Sequence, residues 1–171
     1  STLLDAGKAW LKEKYGKPGN VFLGLVHRLD RPASGVVVLA RTSKAASRLS
    51  EEIRTRKPTK VYWAKVSGEV PEQGSWSDRL ERDEYSSRVV SSPHGKDARL
   101  KFRRSELTSN TSSVEINLET GRHHQIRVQF AHRKCPILGD RKYGSIHDFA
   151  PGSIALHARE FRIKHPTRDE E

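Results

Sequence analysis

The sequence predicts an α+β fold: a mixed, largely antiparallel sheet with flanking helices. Two observations carry that expectation. Segments with strand-like alternation gather in the later part of the chain, at 59–68, 98–106 and 112–119, and helical patterns fall between and ahead of them. Neither internal repeats nor low-complexity tracts interrupt the order.

Taken in order, Leu3, Leu4, Trp10 and Leu11 recur at near-helical spacing, and Gly16, Pro18 and Gly19 stop the pattern, so residues 2–15 read as a helix. Residues 20–27 and 35–40 are rich in branched apolar side chains and read as two strands. From Thr42 or Ser43, an N-cap type, an amphipathic helix runs over 43–57, with Ala46, Leu49 and Ile53 on one side and Lys44, Arg48, Arg54, Arg56 and Lys57 exposed. Residues 59–68 alternate, placing Tyr62, Ala64 and Val66 on one face and Val61, Trp63 and Lys65 on the other. Residues 71–98 are polar and punctuated by Pro71, Gly74, Pro93 and Gly95; short strands or a flexible insertion are expected there. Residues 98–106 and 112–119 alternate and pair across the intervening LTSNT. Ile126 and Phe130, four apart after the break at Gly121, favour a helix start, and residues 154–163 close the chain as a strand.

Composition narrows the function classes. With 171 residues the chain can form one domain, 1–171, around its own core. Only 34% is hydrophobic and 31% charged, which fits a globular enzyme with a large wetted face. Lys and Arg number 32 against 21 Asp and Glu, a net +11 that attracts polyanions. No stretch of about 18 apolar residues spans a bilayer, and no apolar signal region opens the chain. The lone Cys135 has no partner for a disulfide, which points to a reducing compartment, the cytoplasm. The absence of methionine, at position 1 as elsewhere, suggests a fragment or processed segment.

Several residues invite chemistry. HRLDRPASG, residues 27–35, sets Asp30 between two arginines, with Pro32 and Gly35 following. A turn alone would explain those residue types. Arg127 falls beside the apolar pair Ile126 and Phe130, where a cation needs a carboxylate or must snorkel to solvent; Asp30 is a candidate partner. Tyr62 is either a core filler or a platform for an unstacked base. His123, His124 and His132 suggest a metal, but the two adjacent histidines point in different directions on a helix or a strand, and no metal site is expected. Asp140, after Gly139 in CPILGDRKYG, could be a second carboxylate, but Asp after Gly is commonly a turn acceptor, and a structural role is expected.

Together these segments resemble the RluA-type family of RNA pseudouridine synthases. HRLDRPASGVVVLART is similar to its catalytic-loop motif, KVYWAKVSG to its tyrosine-bearing strand, LETGRHHQIRVQFAHRKCPILGDRKYG to its third motif, and IALHAREFRIKHP to its closing segment, in register from about residue 21 to 166. The resemblance implies a pseudouridine synthase fold with a catalytic cleft across the sheet. It implies Asp30 as catalytic aspartate, Tyr62 as the aromatic on the target base and Arg127 as the basic partner of the aspartate. Arg28 matches an arginine that helps displace the flipped nucleotide, and His27, Arg31, Arg122, His124 and Gln125 are the remaining candidate RNA contacts. Relatives begin with a strand and a Lys-Pro motif and end in a further strand, so the resemblance also implies a catalytic domain lacking its first and last strands.

The implied reaction isomerises uridine to pseudouridine in structured rRNA or tRNA, with the base flipped out of its stack. It is neither oxidation nor hydrolysis, so no cofactor and no metal are expected; RNA is the expected partner of a monomer. Whether the aspartate attacks the anomeric carbon, adds to the ring or removes a sugar proton stays open in the sequence. So do two other readings, a noncatalytic RNA-binding module on the same scaffold and a histidine-based ribonuclease.

Overall fold

A computed structural model describes residues 2–168. Its elements, in chain order, are α1 (Leu3–Lys14), β1 (Gly24–Leu25), β2 (Ser34–Gly35), β3 (Leu39–Ala40), α2 (Ser43–Arg54), β4 (Thr59–Ser67), β5 (Gln73–Arg82), β6 (Ser87–Val89), β7 (Lys96–Leu107), β8 (Thr111–Leu118), α3 (Gln125–His132), a 3-10 turn (Arg141–Tyr143) and β9 (Leu156–Arg162). They fall into two compact units. Of the described residues, the first comprises 2–28, 37–58 and 162–168, and the second 29–36 and 59–161.

In the first unit both helices begin at a threonine cap. Thr2 accepts from Asp5 N while the Asp5 carboxylate accepts from Thr2 N, a reciprocal capping box, and Thr42 Oγ1 accepts from Ala45 N. β1 and β3 form a two-stranded antiparallel ribbon, Gly24 opposite Ala40 and Leu25 opposite Leu39. The strands expected over 20–27 and 35–40 are therefore two residues long. Apolar content is a poor guide here: Phe22, Leu25 and Val36 remain exposed, and the Val38 N–H donates to His27 Nε2 at 2.8 Å instead of to a neighbouring strand.

The second unit is a seven-stranded sheet in the order β2-β9-β4-β8-β7-β5-β6. β2 runs parallel to β9; the β4–β8, β8–β7, β7–β5 and β5–β6 pairs are antiparallel. The segment 71–98 is thus mostly sheet, a ten-residue β5 and a short β6. Within β5 and β6 the apolar signal is confined to Trp76, Leu80 and Val89 because the alternate positions face solvent. β7 and β8 pair as the alternation required.

Register decides what shares a face. Tyr62 lies opposite Ile116, Ile116 opposite Phe102, and Leu100 opposite Trp76. That face carries the core: Val66, Leu100, Phe102, Val114 and Ile116 from the strands meet Ile126 and Phe130 from α3. Phe130 is fully buried, its ring centroid 4.6 Å from Trp76 and 5.9 Å from Phe102, both edge-on. The aromatic cluster seats α3 against the sheet and so fixes the next residues along the helix. Replacing Phe130 with alanine should cost about 3–5 kcal/mol of unfolding free energy, measured by denaturant titration; a loss below about 1 kcal/mol would mean that other contacts seat the helix.

Candidate active site

The site is built in the second unit from three segments distant in sequence. The first, residues 29–36, is fastened to the sheet edge. Asp30 O accepts from Ala33 N at 2.9 Å, closing a turn; Pro32 O accepts from Ile154 N at 3.0 Å, and Ala158 O from Val36 N at 2.9 Å. Ser34 and Gly35 pair in parallel with His157 and Ala158 of β9, and Ser34 Oγ lies 2.9 Å from His157 Nδ1. Gly35 has φ +126°, and a Cβ there would stand 2.2 Å from the Ala158 carbonyl oxygen, so only glycine lets the loop lie this close to β9. The turn expected in HRLDRPASG is present, closed by Ala33 N on Asp30 O, and it sets the direction of the Asp30 side chain.

The second segment is the start of α3. Arg127 sits one residue after Ile126 with its side chain only 5% exposed. Its Nη1 donates to Asp30 Oδ2 at 3.2 Å, while Nε and Nη2 donate to Asp140 Oδ2 and Oδ1 at 2.7 and 2.8 Å. One guanidinium thus joins two carboxylates by different edges, a two-point grip on Asp140 and a single bond to Asp30. Asp140 is 1% exposed and Asp30 21%, so the first is sealed and the second faces an approach. Burial works against the Arg127 charge, but Asp140 first and then Asp30 outweigh it and hold the guanidinium above the ordinary arginine value.

The third segment is the 3-10 turn. The expectation that Asp140 is a turn acceptor needs correction: its backbone carbonyl accepts from Tyr143 N and Ser145 N, and its side chain caps nothing, leaving both carboxylate oxygens for Arg127. Tyr143 lies under the guanidinium, ring centroid 5.0 Å from Arg127 Cζ. Its hydroxyl is 2.7 Å from His124 Nδ1, and His124 Nε2 is 3.9 Å from Asp30 Oδ1. An open groove of about 620 Å³ borders Arg127 and Asp140, with Pro32, Lys142 and Phe149 along its wall.

The family model for RNA pseudouridylate synthases matches residues 4–132. The chain belongs to the RNA pseudouridine synthases. It is 38% identical over 150 residues to an uncharacterised RNA pseudouridine synthase of Chloroflexus aurantiacus, covering 86% of this chain and 48% of that one. It is 36% identical over 159 residues to the ribosomal large subunit pseudouridine synthase D of Xylella fastidiosa, covering 85% and 48%. The chain spans about half the length of these curated relatives. The solved structure of human RNA pseudouridylate synthase domain containing 4 superimposes with a TM-score of 0.78 at 27% identity, over 94% of this chain and 74% of that one. Among the described residues no helix is long and apolar enough to cross a membrane.

Within this pseudouridine synthase fold the candidate residues divide. Arg127 bonds Asp30 at 3.2 Å, while Tyr62 packs on the core face of β4 opposite Ile116. Burial first, and then Asp30, push the Tyr62 phenol up to about 12, so it is protonated throughout the neutral range. Arg31 is exposed. Arg122 is half-buried and donates from Nε to Asp97 O at 2.8 Å. Gln125, expected among the RNA contacts, is buried at 3% exposure. Its amide oxygen accepts from Thr120 Oγ1 and Arg122 N, and its nitrogen donates to Arg99 O, so its polar atoms hold the turn before α3 together. His27 and Arg28 belong to the first unit, where His27 caps Val38 N–H and Arg28 is exposed.

The paired histidines also depart from expectation. His124 has φ +52° and ψ +25°, the left-handed region, so residues 123 and 124 are on neither a helix nor a strand; their rings stack with centroids 3.7 Å apart. No gap remains between them for a phosphate. Desolvation, with Arg127 and His123 adding to it against the attraction of Asp30, lowers the His124 pKa to about 4, so the ring is neutral at pH 7.

These shifts have opposite signs for stability. A histidine lowered in the folded state contributes stability present above the unfolded value near 6.5 and lost as pH falls toward about 4. A tyrosine raised in the folded state contributes stability present below the unfolded value near 10 and lost as pH rises toward about 12. Of the four tyrosines, Tyr62 should therefore ionise late. In tyrosinate absorbance titrations of the folded protein, the difference between wild type and Tyr62→Phe should be a step near pH 12; a step near pH 10 would place Tyr62 in water.

Proposed function

We propose that this chain provides the catalytic domain of a cytoplasmic enzyme that isomerises a uridine in structured rRNA or tRNA to pseudouridine, with Asp30 as the reacting carboxylate. The observation that carries this reading is the 3.2 Å contact between Arg127 Nη1 and Asp30 Oδ2, made while Asp140 grips the other edge of the same guanidinium. An arginine already neutralised by a sealed carboxylate can fix a second, accessible one without cancelling its charge. The group of three carries a net negative charge, which is what a carboxylate-dependent reaction on a sugar or uracil ring needs.

The reaction breaks the bond from ribose C1′ to uracil N1 and forms a bond from C1′ to C5; the proton on C5 is lost and one is gained at N1. Nothing is oxidised and no water is consumed. The base must leave its stack to reach Asp30, at a cost of a few kcal/mol that is lowest in loops and bulges. The Tyr62 ring, half-buried and protonated at neutral pH, suits a stacking surface worth about 1–3 kcal/mol and not a general base. On α2 the exposed Lys44 suits a phosphate contact, whereas Arg48 donates to Pro166 O at 2.6 Å and Arg54 is engaged by Glu51 at 2.5 Å.

Relatives carry names that specify the large ribosomal subunit, which makes rRNA the first substrate to try. Incubated with large-subunit rRNA transcripts, the full-length protein should form pseudouridine, and Asp30→Asn should lower the rate at least about a hundredfold while RNA affinity changes little. Near-normal turnover by Asp30→Asn would remove Asp30 from the chemistry. RNA binding by wild type with no pseudouridine on rRNA or tRNA would favour a noncatalytic binding module.

A further inference from the structure

His124 occupies the N-cap position of α3, where Ser, Thr, Asp or Asn usually accepts a backbone hydrogen bond, yet its side chain caps nothing and its backbone is left-handed. Both features cost stability locally, and such outliers persist where the surroundings impose them. The surroundings here are specific. Ser87, the first residue of β6, donates its backbone N–H to Tyr143 Oη at 3.0 Å, and that oxygen lies 2.7 Å from His124 Nδ1. A phenol has one proton to give. With Ser87 N–H taking one of its lone pairs, the pairing that uses that proton has Tyr143 donating to Nδ1. A neutral imidazole then carries its only N–H on Nε2.

That N–H faces Asp30 Oδ1 across 3.9 Å. The gap exceeds a direct N–H···O bond, about 2.7–3.2 Å. A group placed against both atoms must accept from Nε2 and donate to a carboxylate. A hydroxyl does both at once; a carbonyl, a phosphate oxygen or an apolar carbon cannot.

Resting on the pseudouridine synthase reading, we propose that His124 Nε2–H and Asp30 Oδ1 together hold the 2′-hydroxyl of the target ribose, with Tyr143 and Ser87 as positioning residues that set the tautomer of His124. The pair makes the site choose ribonucleotide over deoxyribonucleotide at the reacting position, because a ribose 2′-hydroxyl is both donor and acceptor and deoxyribose has neither. The polar β5–β6 hairpin takes part as well, since its Ser87 amide is the outermost link of the chain that aims His124.

Two measurements test this. In the first, imidazole 15N shifts of His124 are read in the RNA-free protein. Wild type should show a neutral ring protonated on Nε2, and Tyr143→Phe, which keeps the ring beneath Arg127 but removes the hydroxyl, should show a mixture of tautomers. An Nδ1–H ring in wild type would overturn the proposal whether or not the protein is active. In the second, the rRNA fragment that wild type modifies is made with either uridine or 2′-deoxyuridine at the target, and Kd and single-turnover rates are compared. Wild type should bind the ribose form about tenfold more tightly, one hydrogen bond's worth, and His124→Ala should bring the two forms within about twofold. A variant that weakens both substrates equally would make His124 merely structural and overturn the proposal. Absence of pseudouridine from wild type would instead count against the enzymatic reading, leaving the tautomer result to decide the geometry.

Discussion

Arg127 is a cation taken almost wholly out of water, and the molecule has to compensate for that before anything else in the site can work. Asp140 does most of it. The two-point bond between them, with both side chains at most 5% exposed, is a sealed ion pair of the kind whose rupture costs about 3–5 kcal/mol. What remains of the guanidinium is Nη1, and it is directed at Asp30. A lysine could not divide its charge between two edges in this way, since its ammonium offers no fixed fork. One interaction therefore closes the core around α3 and leaves a positioned donor for the accessible carboxylate.

The other half of the arrangement is the loop that brings Asp30 to that donor. Loops are ordinarily the mobile part of a site, but 29–36 is tied by backbone bonds to residues 154 and 158 and by the parallel pairing of β2 with β9. Gly35 permits the contact, and Ala33 packs against the core. The carboxylate is thus mounted on a sheet edge and the arginine on a helix seated by Phe130, so both partners sit on rigid elements. Tyr62 projects from the same sheet face at a position fixed by its pairing with Ile116.

Much of this is legible in the sequence where side-chain periodicity reflects burial. β4, β7 and β8 alternate because one face meets α3, and α2 shows its cap and stripe because one side is wet. The short strands β1 and β3 look longer in sequence than they are, since branched apolar residues there contact neighbours without extending a ladder. β5 is hard to see because only Trp76 and Leu80 mark its inner face. In the site, a buried arginine demands a carboxylate, and Asp30 answers that demand across 97 positions. Asp140 is visible in the sequence only as a possible second carboxylate and reads as a turn residue; that a guanidinium has two bonding edges is the signal that decides for the carboxylate. Tyr143 and Ser87 leave none, for their role depends on a left-handed His124 that no local pattern announces.

The claim that Arg127 is shared, with Asp140 as its structural anchor, is tested most directly by a double-mutant cycle on unfolding free energy. Arg127→Met and Asp140→Leu should each destabilise the protein by about 3–5 kcal/mol, because the first leaves the buried Asp140 carboxylate unpaired and the second leaves a buried guanidinium with only its single bond to Asp30. The double variant, which buries neither, should lose far less than the sum. Strict additivity of the two losses would show that the two side chains do not support each other, and the arrangement that holds Asp30 would have to be explained some other way.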